Sequence, residues 1–210
     1  MESFSLGTPA LVCRWRLQEG RLPLENRHLR ALSNRKVNGA PVTNELVAWA
    51  KQHIEWTLEE GTAEYPDGVL LLVVDVGGQA AMSAGAYRPL GRMRVQEAMT
   101  RARGSRREGE VTGVSPEDLW LIRGDTLVWG INPEFKPAGA SSLINDLAQT
   151  LGMPVLRDED ILEAEDVFDL KADEVFLVSD EHGVVPASDR AGTRSKKFAA
   201  GYQKLLKTRR

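Results

Sequence analysis

The run Gly68-Val69-Leu70-Leu71-Leu72-Val73-Val74-Asp75-Val76 constrains this chain more than any other stretch. It is apolar on both faces, rich in branched residues, too short to span a membrane, and closed by Gly77-Gly78. Such a run predicts a strand buried on both sides, hence central in a sheet. Residues Ala80 to Tyr87 are placed to pair back on it as a hairpin. Upstream, Leu11, Cys13 and Trp15 alternate with Val12, Arg14 and Arg16, the period of a half-buried strand. Between these strands, Leu29 and Leu32 lie three apart on a short helix running from Leu22 to Leu32. A break follows at Asn38-Gly39-Ala40-Pro41. Thr43 or Asn44 then caps a longer helix, with Leu46, Val47, Ala50, Ile54 and Leu58 inward, until Glu60-Gly61 stops it.

Arg88-Pro89-Leu90-Gly91 looks like a link, and Arg92 to Arg107 is basic and helix-prone, reading as a solvated linker or helix face. With no interleaved aromatics, its arginines do not make a nucleic-acid strip. Beyond it, Gly109 to Val114 suggests a strand. Leu119-Trp120-Leu121-Ile122 and Thr126-Leu127-Val128-Trp129 predict a hairpin across Arg123-Gly124-Asp125. Ser141 or Ser142 caps a helix with Leu143, Ile144, Leu147 and Leu151 inward. Asp158 to Leu170 is an acidic helical stretch with Ile161, Leu162 and Phe168 turned in. A last helix, Ser195 to Lys207, buries Phe198, Tyr202 and Leu205, and Lys207 with Arg209-Arg210 suits its C-terminus. Strands and helices alternate, so the fold class is α/β (α+β mixed) in two small subdomains: residues 1–88, a linker at 89–108, and 109–210.

A net charge of -3 predicts neither a nucleic-acid binder nor a polyanion, and one cysteine, Cys13, excludes an intrachain disulfide and suits a reducing compartment. With no run of membrane-spanning length, the expectation is a cytoplasmic protein without nucleic-acid or membrane partners. His28, His53 and His182 have no metal-ligand spacing, and the seven carboxylates between Asp158 and Leu170 read as a solvated face.

The segment Leu170-Lys171-Ala172-Asp173-Glu174-Val175-Phe176-Leu177, followed by Gly183-Val184-Val185-Pro186, resembles a signature of the class IV aminotransferases. That family uses pyridoxal phosphate and includes branched-chain and D-amino-acid aminotransferases and aminodeoxychorismate lyases. Three further segments are similar to it in the same order: Gly20 to Ser33, resembling its His-Leu-x-Arg-Leu helix; Gly109 to Ile122, resembling Gly-x-Val-x-Glu followed by Asn-Leu-Phe; and Pro133 to Ser142, resembling its phosphate loop. The resemblance implies a class IV aminotransferase-like fold.

It does not carry the family's chemistry with it. Pyridoxal phosphate needs a lysine for the internal Schiff base, a carboxylate on the pyridinium nitrogen, and an arginine plus N–H and hydroxyl donors for the phosphate. No lysine stands between Lys51 and Lys136, and Lys136 sits on a loop flanked by Pro133 and Pro137. The pyridinium carboxylate falls on Gly113 and the phosphate arginine on Ala31, with Arg30 as neighbouring substitute. Val178-Ser179-Asp180 replaces the family's threonine pair, and an aspartate there repels a phosphate dianion. The leading expectation is therefore a non-catalytic scaffold or binding module without the cofactor, taking an unidentified small molecule, with no catalytic residues and no metal site. The alternative is an active pyridoxal-phosphate-dependent aminotransferase or aminodeoxychorismate lyase, in which Arg30, Gly139, Ala140, Ser141 and Ser179 would bind cofactor. The resemblance also implies a homodimer. Trp49 and Trp56, seven residues apart and off the inward stripe of their helix, are expected either at the subunit contact or beneath the other domain of the same chain.

Overall fold

The computed structural model describes residues 5–207, so Arg209 and Arg210 lie outside the described residues. The apolar run forms β4 (Val69–Asp75) and takes the middle of a three-stranded antiparallel sheet, between β1 (Pro9–Arg16) and β5 (Ala80–Gly85). Leu70, Leu72 and Val74 join Leu11, Cys13 and Trp15 in one core. Helices α1 (Glu25–Ser33) and α2 (Asn44–Gly61) close that core, contributing Leu29, Leu32, Ala50 and Ile54. The Thr43 hydroxyl caps α2, accepting from Leu46 N–H at 3.2 Å. Between the two helices lies a short hairpin of β2 (Lys36–Val37) and β3 (Ala40–Pro41).

The second sheet has five strands in the order β10-β9-β6-β7-β8. Its centre is β6 (Glu117–Arg123), paired antiparallel with β7 (Thr126–Gly130) in the expected hairpin, Trp120 facing Trp129. The other neighbour of β6 is β9 (Glu174–Ser179), which turns into β10 (Gly183–Pro186). On the opposite edge, β8 (Val155–Arg157) pairs parallel with β7. One face of this sheet is covered by α3 (Val95–Thr112), the other by α4 (Gly139–Thr150) and α5 (Thr193–Lys207).

Four expectations need correction. The segment expected as linker or solvated face is mostly α3, which runs through Glu108-Gly109 and buries Val95, Ala98, Met99 and Ala102 against the second sheet. Three of its four arginines are engaged locally: Arg101 with Glu117, Arg103 with the Leu162 and Ala164 carbonyls, and Arg106 with Glu163. Because α3 continues to Thr112 and ends on Gly113 at φ 83, no strand forms over Gly109 to Val114. The acidic stretch makes only a 3-10 turn, Glu159–Glu163, burying Ile161 and Leu162 while Phe168 is exposed. Crowded carboxylates disfavour continuing that helix. Leu151 and Leu205 are exposed as well; in α5 the inward residue is Leu206, four from Tyr202 and eight from Phe198.

Candidate functional site

The first backbone amides of α4 have no partner within their own helix and no local cap, since Ala138 occupies the N-cap position. Their acceptor is the carboxylate of Asp180, just past the end of β9. Ala140 N–H donates to Oδ1 at 2.6 Å and Gly139 N–H to Oδ2 at 3.4 Å. The helix dipole favours negative charge at this point. On its other side Asp180 meets His28 of α1. Nδ1 lies 3.3 Å from Oδ2 but outside hydrogen-bond geometry. His28 in turn stacks on Trp15, centroids 5.4 Å apart.

Gly139 is required here, because a Cβ would come within 2.7 Å of His28 Nδ1 and 3.3 Å of Asp180 Oδ1. Burial alone would raise the Asp180 carboxyl, but His28, the Ala140 amide and Arg35 outweigh it and hold it below its ordinary range. The Asp180 carbonyl accepts from Arg16 N–H at 3.0 Å, which ties this corner to β1.

A second buried carboxylate, Asp118 on β6, accepts from the Ser141 hydroxyl. Burial pushes its carboxyl up to about 7 despite that bond.

Beside Asp180, between β1 and the α3–β6 layer, opens a cavity of about 250 Å³. Val12, Cys13 and Trp15 line it from β1, and Arg35, Ser105 and Glu108 line it as well. Arg35 is 3% exposed, and its only side-chain hydrogen bond among the described residues is a long one, 3.4 Å, from Nη1 to the Val114 carbonyl. Its nearest carboxylate, Glu108, stands 4.0 Å away. Glu117, by contrast, is fully engaged by Arg101 through bonds of 2.8 and 2.6 Å. Cys13 is buried, and burial raises its thiol, in keeping with a core residue.

Of the residues singled out in the sequence, Gly139, Ala140, Ser141 and Ser179 come together with Asp180, and the donors of the first three are already in use. The Gly139 and Ala140 amides go to Asp180, the Ser141 hydroxyl to Asp118, and the Ser179 hydroxyl accepts from His182 N–H. Arg30 is not among them; it is exposed on the outer face of α1. Gly113 packs against the Asn34 carbonyl at the end of α3. Every lysine of the chain (Lys36, Lys51, Lys136, Lys171, Lys196, Lys197, Lys204 and Lys207) is exposed, and none lines the cavity. Among the described residues no group of histidine, cysteine and carboxylate side chains is placed to hold a metal. Reading the sequence for the family's motifs missed His28 as the neighbour of Asp180, and Arg35. The signal for Arg35 was its spacing, four residues after Ala31.

No protein-family model matches this chain, and no curated protein matches its sequence. Solved structures do. The Escherichia coli branched-chain amino acid aminotransferase superposes with a TM-score of 0.60 at 13% identity, over 94% of this chain and 86% of that one. A hypothetical aminotransferase from Mycobacterium tuberculosis in its PLP-bound form gives 0.64 at 13% identity, over 98% and 94%. A protein assigned as a 4-amino-4-deoxychorismate lyase from Legionella pneumophila gives 0.58 at 13%, over 97% and 96%. The chain has a class IV aminotransferase-like fold, as its sequence motifs imply.

Proposed function

We propose that this protein keeps the class IV aminotransferase-like scaffold as a binding module and does not use pyridoxal phosphate. The observation that carries this reading is Asp180, whose carboxylate already occupies the anion position at the start of α4. A cofactor phosphate would have to displace it or share its amides with it, two anions on one set of donors. The rest of the cofactor's needs point the same way: no lysine in the cavity for a Schiff base, no arginine from Arg30, and no carboxylate from Gly113. The residues present do not fit the group.

The test is the absorbance of the purified protein, before and after borohydride. No band at the visible edge is expected, and no change on reduction. A yellow preparation bleached by borohydride would instead support the alternative, an aminotransferase or aminodeoxychorismate lyase. We also propose that the protein works in the cytoplasm as a homodimer. Among the described residues no helix is long and apolar enough to cross a membrane. On α2, Trp49 stacks on His53 at 3.9 Å, and His53 meets Trp56 edge-on at 4.9 Å, leaving Trp56 48% exposed. An aromatic strip of this kind suits a subunit contact.

A further inference from the structure

The cavity beside Asp180 is where a ligand of this module would sit, and its chemistry is specific enough to name a class. We propose that it binds a small aliphatic monocarboxylate directly on Arg35. This rests on the reading above, because a resident cofactor would fill the same space.

The cavity lining includes a guanidinium that is almost wholly buried yet poorly matched. Its side-chain hydrogen bond is the long one to the Val114 carbonyl and its nearest carboxylate stands 4.0 Å away, so the guanidinium keeps donor capacity for a ligand in the cavity it lines. Buried cations are ordinarily paired. Guanidinium matches a planar carboxylate through two parallel bonds. Next to it, Ser105 is buried; its Oγ accepts from Glu117 N–H at 2.7 Å, and its own hydroxyl proton has no acceptor among the described residues.

The other charges on the cavity wall limit what can enter. Arg101 and Glu117 satisfy each other, and Asp180 is held by α4. Glu108 and Glu181 are acidic, with both carboxyls raised by burial. Arg14, also on the wall, is 54% exposed and lies 3.8 Å from Glu181, so a single buried arginine among several carboxylates suits a single negative charge and repels a dianion. Val12, Cys13, Trp15 and Pro116 offer an apolar wall for a hydrocarbon body. A space of about 250 Å³ lies below the usual range for drug-sized ligands, so the body is short.

Calorimetric titration with butyrate, and separately with succinate and inorganic phosphate at constant ionic strength, tests the proposal on the full chain. Butyrate is expected to bind saturably, and more tightly than succinate or phosphate. Arg35→Met is expected to weaken butyrate by more than about tenfold, the value of a lost charged hydrogen-bond pair. Glu108→Gln removes the carboxylate nearest Arg35, so it is expected to tighten butyrate roughly threefold. That gain also keeps the test decisive if Arg35→Met does not fold. The proposal is overturned if neither wild type nor Glu108→Gln binds butyrate, if Arg35→Met binds it unchanged, or if phosphate binds as well. Failure here shows in the heats, whereas failure of the broader reading shows in the aldimine absorbance, so the two are told apart.

Discussion

Asp180 joins three parts of the molecule: it caps α4, faces His28 of α1, and hydrogen-bonds β1 through its carbonyl. Asp180→Ala would leave two buried amides without their acceptor, a loss of about 1–3 kcal/mol. Asp180→Asn keeps one oxygen and should lose less; urea denaturation ranks the two. Because its folded value is depressed, the stability Asp180 contributes is present above the ordinary carboxyl range and lost as pH falls below it.

Two other residues act between acid and neutral pH with opposite signs. Asp118 is raised from 3.8 to about 7, so the fold holds a proton that the unfolded chain has released. Its contribution is full below about 4 and disappears as pH rises through about 7. His182 is lowered from 6.5 to about 4, first by burial and then by Arg101, Arg16 and Arg14. Its contribution is full above 6.5 and lost as pH falls toward about 4. Urea melts at pH about 5 and about 8 separate them. Asp118→Asn should make stability rise more steeply with pH than in wild type, and His182→Gln less steeply.

The helices of the second half share one device. None is capped by the residue just before it. Asp189 accepts from Val95 N–H at the start of α3 at 2.9 Å, and Asp180 does the same for α4. Glu174 accepts from Ser195 N–H at 2.7 Å and Arg194 N–H at 3.2 Å in α5. Three carboxylates in or near the β9–β10 hairpin thus anchor three helices around it. Glu174→Ala should cost about 1 kcal/mol, a typical capping value, visible as a lower melting temperature; Gly192→Ala should also destabilise, since a Cβ there would lie 2.3 Å from Glu174 Cδ.

This device marks the limit of what the sequence could show. The strands β1, β4, β6, β7 and β9 were legible because alternation and apolar runs are local, as was the Thr43 cap. Ser141 or Ser142 was the expected cap of α4 because nothing local points to a carboxylate some forty residues downstream. Ala98, Met99 and Ala102 are spaced for one helix face, but six arginines nearby obscured the burial of α3. At the site, the missing lysine and the intruding aspartate were visible in the sequence. That the aspartate sits on the amides themselves needed the fold.

Taken whole, the molecule packs its two sheets so that β1, α1 and the end of β9 meet at one corner, and the cavity lies in that seam. If α2 forms a dimer contact, light scattering at micromolar concentration should give twice the chain mass of 23.2 kDa. Trp56→Ala should then shift the protein toward monomer; a monomer mass in wild type would remove the contact.

The central claim, that the scaffold no longer holds pyridoxal phosphate, is met most directly by circular dichroism in the cofactor's absorption band during titration with pyridoxal phosphate. Adducts on the exposed lysines are mobile and give little induced signal, whereas a cofactor fixed in the seam gives a strong one. The account predicts no saturable induced band in the wild-type protein. A stoichiometric band that saturates at one cofactor per chain would contradict it.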